Sequence, residues 1–364
     1  MSLSNEGRSN AIAKLEGIIT KGRESALTVI NHVMTNQPQD ALAKASALGF
    51  TADHTAKAVR MQFPTVDQRH DVRIHRHALG QVAQFVDMPM KFVDSLQDEK
   101  SDWGRELLAH NLNTIFHERG GKDRRLVRTI NGEVRGFLSD TYRRLDSRPI
   151  VEAFAMAVQA KGAQPYAGHV TDTKIAIQAI FPHVFEPVPG EMAAYGLSLE
   201  NSDFGNGALS VRAYLLRIWC NNMALTEETM RQIHLGKRLE DNLIYSQRTY
   251  QLDSDTTVSA LKDVINLQLD HKALETRIDQ LKVAAGTAVT IEAARTQLKK
   301  VLNKGEAEEA IRVFESNDEY NLPAGNTAWR MSNAISWIAN ASDVSTERKL
   351  ELNRIAGDVL PKAA

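Results

Sequence analysis

The sequence predicts an α+β protein. It has a helical N-terminal region (1–119), a central, mainly antiparallel β-sheet with a packed helix (120–250), and a helical C-terminal region (251–364). Three observations carry this. Apolar side chains recur at helical spacing at both ends of the chain. Asn131-Gly132 sits between two apolar-interleaved runs, the strongest short hairpin signal. Turn-rich segments at Asp172-Thr173 and 201–207 separate further strand-like pairs, an order that builds an antiparallel layer.

Residues 8–34 carry Ile12, Leu15, Ile18, Ile19, Leu27, Ile30 and Val33 on one helical stripe, with Gly22 as a candidate break. The alanine-rich 40–48 reads as helix, and 52–61 as a further turn or two of helix. Residues 73–98 read as helix, a turn at Met88-Pro89, and helix. Residues 101–116 read as another helix, with Ser101 as its N-cap. His70, His75 and His77 lie close together, but positions two apart diverge on a helix, so solvated histidines are expected and not a zinc site.

The stretch 122–148 organises the chain. An even-length loop at Asn131-Gly132 pairs Ile130 with Glu133, Arg128 with Arg135 and Leu126 with Phe137. Val127, Thr129, Val134 and Leu138 then form the core side, although Leu126, Ile130 and Phe137 leave the other face partly apolar. Two arginines opposed across a ladder repel unless something anionic lies between them. That partner is either a phosphate or one of the chain's own carboxylates, Asp140 and Glu133 being nearest in sequence. Residues 120–148 hold eight basic and four acidic side chains, a local basic patch on a chain of net charge −1. Tyr142 within it could stack on a base or serve as a core residue.

Ser147 is placed to cap a helix at 148–161, with Pro149 in the first turn and Gly162 at the end. Strand pairs follow at 163–171 with 174–181, and at 191–200 with 207–218. Residues 223–236 and 242–251 carry no clear pattern. The C-terminal third predicts a long helix over 256–285 with a partly heptad stripe, suited to a helical hairpin or an oligomer contact. Helices near 289–303, 305–316, 326–341 and 345–358 complete the chain.

Composition is that of a soluble globular protein, with no membrane-length apolar run and a polar N-terminus, so a cytoplasmic location is expected. The single cysteine, Cys220, excludes an intrachain disulfide and a cysteine-rich zinc site. No phosphate-binding loop, dinucleotide fingerprint or His-Glu-x-x-His is present. Gly196-Leu197-Ser198-Leu199-Glu200 lacks the last glycine of a nucleophile elbow, and Ser198 falls in a strand. The best acidic constellation is Asp140, Glu200 and Asp203, which could hold Mg²⁺ for a nuclease or simply cap turns.

Several short motifs resemble a family associated with phages and plasmids, the phage/plasmid-like protein family or domain of unknown function 932. They are Leu79-Gly80 through Met88-Pro89, Arg125-Leu126-Val127-Arg128-Thr129, Leu138-Ser139-Asp140-Thr141-Tyr142-Arg143 and Glu200-Asn201-Ser202-Asp203-Phe204-Gly205. Trp219-Cys220-Asn221-Asn222-Met223 and Thr327-Ala328-Trp329 to Asn333-Ala334 extend the resemblance over most of the chain after residue 70. The family carries no established activity, and its members look like accessory genes of mobile elements. Asp203 stands where that family more usually has histidine, so no catalytic histidine is carried over. The predicted architecture is also similar to phage single-strand annealing proteins, which form rings or filaments around a basic groove, an analogy of fold alone.

Together these readings imply a homo-oligomeric single-stranded DNA-binding or annealing factor without a cofactor, in the cytoplasm of a bacterial host. Arg124, Arg125, Arg128, Arg135, Arg143 and Arg144 are expected to meet phosphates and Tyr142 to stack. The alternatives are a Mg²⁺-dependent nuclease using Asp140, Glu200 and Asp203, or a virion or anti-defence protein that binds partners and no nucleic acid.

Overall fold

A computed structural model describes residues 5–361 apart from 66, 221, 233, 235–245 and 317–318. The α+β class holds, with two six-stranded sheets among the described residues where one was expected. No helix among them is long and apolar enough to cross a membrane.

The first sheet has the order β1-β5-β6-β4-β3-β2. It is built from β1 (Gln39–Lys44), β2 (Gly49–Asp53), β3 (Ala58–Pro64), β4 (Arg69–Ile74), β5 (Arg124–Ile130) and β6 (Glu133–Ser139). All pairs are antiparallel except β4 with β6. The N-terminal region is therefore not all helical: 40–48 and 52–61, expected as helix, supply β1, β2 and β3. Val59, Met61 and Phe63 are buried while Arg60 and Gln62 are not, a period of two that only a strand satisfies. Ala41 and Ala43 of β1 likewise face the helical layer. That layer is α2 (Arg76–Phe85), α3 (Met90–Gln97) and α4 (Trp103–Arg119), packed through Leu79, Val82, Leu108, Leu112 and Phe116. Ser101 does not cap α4; Asp102 stands at that position and its side chain instead pairs with Arg105. Asn113 of α4 both donates to and accepts from the backbone of Phe50, which satisfies part of the outer edge of β2.

The expected hairpin forms, with Asn131 and Gly132 both at positive φ. Its register differs from the expectation. Ile130 pairs with Glu133, but Arg128 faces Gly136 and Leu126 faces Leu138, because Arg135 is an extra residue in β6. The bulge inverts the alternation beyond it. Val127, Val134 and Phe137 enter the helix-side core, while Leu138 joins Leu126 and Tyr142 on the other face. The opposed arginine pair therefore does not exist at 128 and 135. One exists instead at Arg60 and Arg73, across β3 and β4.

The second sheet has the order β12-β11-β10-β8-β7, with β9 beside β10. Its strands are β7 (Gln164–Val170), β8 (Ile175–Ile180), β9 (Phe185–Val188), β10 (Glu191–Asn201), β11 (Leu209–Arg217) and β12 (Asn222–Gln232), all antiparallel. One face is largely apolar and packs under α5 (Ser147–Ala160), α6 (Gln247–Gln268) and α7 (His271–Gly286) through Phe154, Leu197, Val211, Leu261 and Leu281. The expected 256–285 helix is thus two helices, and its apolar stripe is spent on the sheet. The opposite face is half apolar and half polar.

Helix α1 (Asn5–Thr35) crosses the edge strand β7, so Leu15 and Ile19 pack on one face of the sheet and Val29 and Val33 on the other. Gly22 does not break the helix. It lies against the Tyr166 carbonyl, while Gly168 of β7 lies against Ser25 and Val29 and donates its N–H to Ser25 Oγ at 3.1 Å. The remaining helices, α8 (Ile291–Val301), α9 (Lys304–Glu315), α10 (Ala328–Ala339) and α11 (Thr346–Asp358), share their own core. They join the sheet where Asn222 donates to Asn333 and the Met223 N–H donates to Ser336 Oγ.

Candidate functional site

Arg128 leaves β5 on the face away from the helices and is fully buried. Its Nε donates to Asp40 Oδ1 (2.7 Å), its Nη2 to Asp146 Oδ1 (2.5 Å) and its Nη1 to the Asp203 carbonyl (2.9 Å). One guanidinium thus ties β1, the start of α5 and the segment after β10. A buried cation is tolerated only with such a complete set of acceptors.

The surrounding segments close around it. Asp203 accepts from the Ser147 N–H and hydroxyl, both at 2.8 Å. Asn201 donates to the Leu145 carbonyl and to Ser147 Oγ. Tyr142 is buried, donates to the Ser202 carbonyl at 3.0 Å and stacks on His234 with ring centres 4.9 Å apart. From α2, Gln81 donates to the Phe204 carbonyl at 2.7 Å, and His77 Nε2 lies 3.0 Å from the same oxygen. The motifs Leu138–Arg143 and Glu200–Gly205 are therefore the joint between the two sheets.

The other expected phosphate ligands serve that joint too. Arg124 pairs with Asp140 at 3.5 Å, and the Arg125 guanidinium lies 3.8 Å from the centre of the Phe85 ring. Arg135 donates to Glu133 and to the Asp172 carbonyl. Arg143 holds both oxygens of Asp253 at 2.7 Å. Arg144 Nε stands 2.7 Å from Asp40 Oδ2 without an aligned hydrogen bond, and its guanidinium covers the Tyr250 ring at 4.0 Å. Burial removes Arg128 and Tyr142 from any phosphate or base. The charge excess of this stretch is answered by acids distant in sequence, Asp40, Asp172 and Asp253, that no local count includes.

The acidic trio does not assemble. Asp140 is taken by Arg124 and Asp203 by Ser147, and no group of three or more His, Cys, Asp or Glu able to hold a metal forms among the described residues. The three histidines are not solvated either. His70 stacks on Phe63, His75 caps α2 by accepting from the His77 N–H, and His77 reaches Phe204.

Two features beside this stretch are open to ligands. A cleft of about 450 Å³ lies between the hairpin turn, the end of α1 and the β7–β8 turn. Arg73, Arg135 and Lys174 line its sides, and Ser147, Asn201 and Asp203 line it beside the joint. Next to it, the half of the first sheet that no element among the described residues covers presents Arg60, Gln62, Arg69, Asp71 and Arg73 on one face. Arg69 and Arg73 are exposed. Arg60 is held by Asp53 and Asp71, whereas Arg73 has only a 3.8 Å approach to Glu133. The signal for this face was the alternation in 58–64 and 69–74.

Two groups beside the joint titrate in opposite senses. Burial pushes Asp203 up to about 6, against the pull of the Arg128 guanidinium and the Ser147 hydrogen bonds. Burial holds His234 down at about 4, even though the Arg143 carbonyl favours its charged ring. As pH falls from about 6.5 to 4, the folded chain gains a proton at Asp203 that the unfolded chain lacks, and this stabilises it. Over the same window the unfolded chain gains one at His234 that the folded chain refuses, and this destabilises it. The two offset in the wild type. Asp203→Asn is expected to lose more stability than wild type between pH 7 and 4.5, and His234→Gln less, by about 2 kcal/mol each. Urea midpoints at the two pH values check this, and variants that track the wild type would contradict it.

Comparison of the chain with protein-family models, with curated proteins and with solved structures gives no match.

Proposed function

We propose that this chain is a single-stranded DNA-binding accessory factor that acts as a homo-oligomer in the cytoplasm of a bacterial host. The strand runs over the open face of β3 and β4 and into the cleft beside the hairpin. The observation that carries this reading is the row Arg69–Arg73 on an uncovered sheet face, leading to Arg135 and Lys174 at the cleft. Arg73 stands directly opposite Arg60; Asp53 and Asp71 answer Arg60, whereas Arg73 is exposed with Glu133 at 3.8 Å, a guanidinium placed to meet a phosphate. Arg128 and Arg143 tie together the segments that frame this path. The motif resemblance to mobile-element proteins supports the same reading.

Fluorescence anisotropy with a labelled single-stranded oligonucleotide tests it. Binding is expected to weaken with salt, and Arg69→Ala/Arg73→Ala to reduce the slope of log affinity against log salt by about 1.4, two phosphate contacts' worth. No binding to the wild type at low salt would leave a protein-partner role. Light scattering tests self-association, with an assembly larger than the 40.4 kDa monomer expected.

A further inference from the structure

The second sheet has a polar half-face that the joint does not use. In register it carries His169, Gln178, Ser198, Glu200 and Arg212. Helix α11 lies over this region and leaves a cavity of about 340 Å³, which adjoins a second of about 310 Å³ through His169 and Leu350. Such volumes fall in the range of small-molecule sites.

The lining has three chemistries. Lys349 and His169 are cationic or can become so. Both are half-buried, and neither side chain has an ion pair or hydrogen bond among the described residues. Gln178 and Asn353 are carboxamides with one end spare. Gln178 Nε2 meets only Met223 Sδ at 3.5 Å, and Asn353 Oδ1 is taken by the Ser336 hydroxyl. That leaves an acceptor on one and a donor on the other. Ile18, Tyr166 and Leu216 supply apolar wall. Between Gln178 and Arg212 in register, Ser198 has a buried hydroxyl oxygen with no hydrogen-bond partner.

We propose that this cavity is a mononucleotide-binding site, with the phosphate between Lys349 and His169 and the base against the Gln178 and Asn353 carboxamides. An ammonium taken from water without a counter-charge is costly, and a phosphate supplies that charge together with several acceptors. The spare acceptor of Gln178 and the spare donor of Asn353 together offer one acceptor and one donor to the edge of a base. Burial holds both Lys349 and His169 below their ordinary pKa, and the lysine charge lowers the histidine further. The row Arg69–Arg73 lies on the other sheet, while the adjoining cavity shares Lys174 with the cleft.

Isothermal titration calorimetry of the full chain with adenosine monophosphate tests the proposal, with adenosine and inorganic phosphate alongside. Adenosine monophosphate is expected to bind more tightly than either fragment. Lys349→Met and His169→Gln are each expected to weaken it by roughly tenfold or more, the loss of one charge-assisted contact. Lys349→Arg is expected to keep most of the affinity. Lys349→Met is expected to melt no lower than wild type without ligand, because it removes an unpaired, half-buried charge. Absence of saturable binding at millimolar nucleotide, or affinity unchanged in both Lys349→Met and His169→Gln, would overturn it. Equal binding of phosphate and nucleotide would overturn the assignment of the base.

Discussion

Arg128→Met is expected to cost about 3–5 kcal/mol, the range for removing one partner of a buried ion pair. The loss exceeds that of a surface pair because Asp40, Asp146 and the Asp203 carbonyl all converge on this one side chain. Methionine fills the space but leaves Asp146 and the Asp203 carbonyl without their donor and Asp40 with Arg144 alone. Arg128→Lys is expected to recover only part of the loss, since one ammonium cannot reach three acceptors set by a planar fork. Urea unfolding measures both. A loss under about 1 kcal/mol would mean that the network behaves as a solvated surface pair and that the two sheets are held by other contacts.

The second large effect runs against helix propensity. Gly22→Ala replaces a poor helix former with the best one, a change worth about 1 kcal/mol in favour of an unhindered helix. Here the added methyl would stand 1.8 Å from the Tyr166 carbonyl oxygen, a backbone atom in the edge strand. Helix and strand must move apart, and overpacking of this kind costs about 3 kcal/mol. Gly17 lies in the same helix with nothing within 4 Å of its would-be methyl. Gly17→Ala is therefore expected to stabilise by about 0.5–1 kcal/mol. Thermal melts of the two variants should move in opposite directions. A stabilised Gly22→Ala would contradict the close crossing of α1 over β7.

Local signals explain what the sequence made legible. Asn131-Gly132, the turn at Asp172-Thr173 and the stripe of α5 each work within a few residues, and each element is found where expected. The strands β1 to β3 were missed for two reasons. Alanine-rich 40–48 favours helix by propensity, and pairing with β5 overrides that. The alternation at Val59, Met61 and Phe63 was a strand signal in plain view, and a short helical reading passed over it. The hairpin register depended on the bulge at Arg135, which no pairwise alternation reveals. The fate of the arginines lay furthest out of reach. Asp40 is 88 positions from Arg128, and Asp253 is 110 from Arg143, so a local charge count turned an internal joint into an apparent basic surface. Residues of the quoted motifs lie at joints in the fold: Tyr142 meets Ser202, and Asn222 meets Asn333.

The division between joint and DNA path is tested most directly by chemical modification of arginine. The chain is treated with an arginine-specific dicarbonyl reagent, with and without a single-stranded oligonucleotide, and each site is read by mass spectrometry. Arg69 and Arg73 are expected to react in the free protein and to be shielded by the oligonucleotide, while Arg128 reacts in neither sample. Shielding confined to Arg143 and Arg144, with Arg69 and Arg73 unchanged, would contradict the account and return the binding surface to the hairpin stretch.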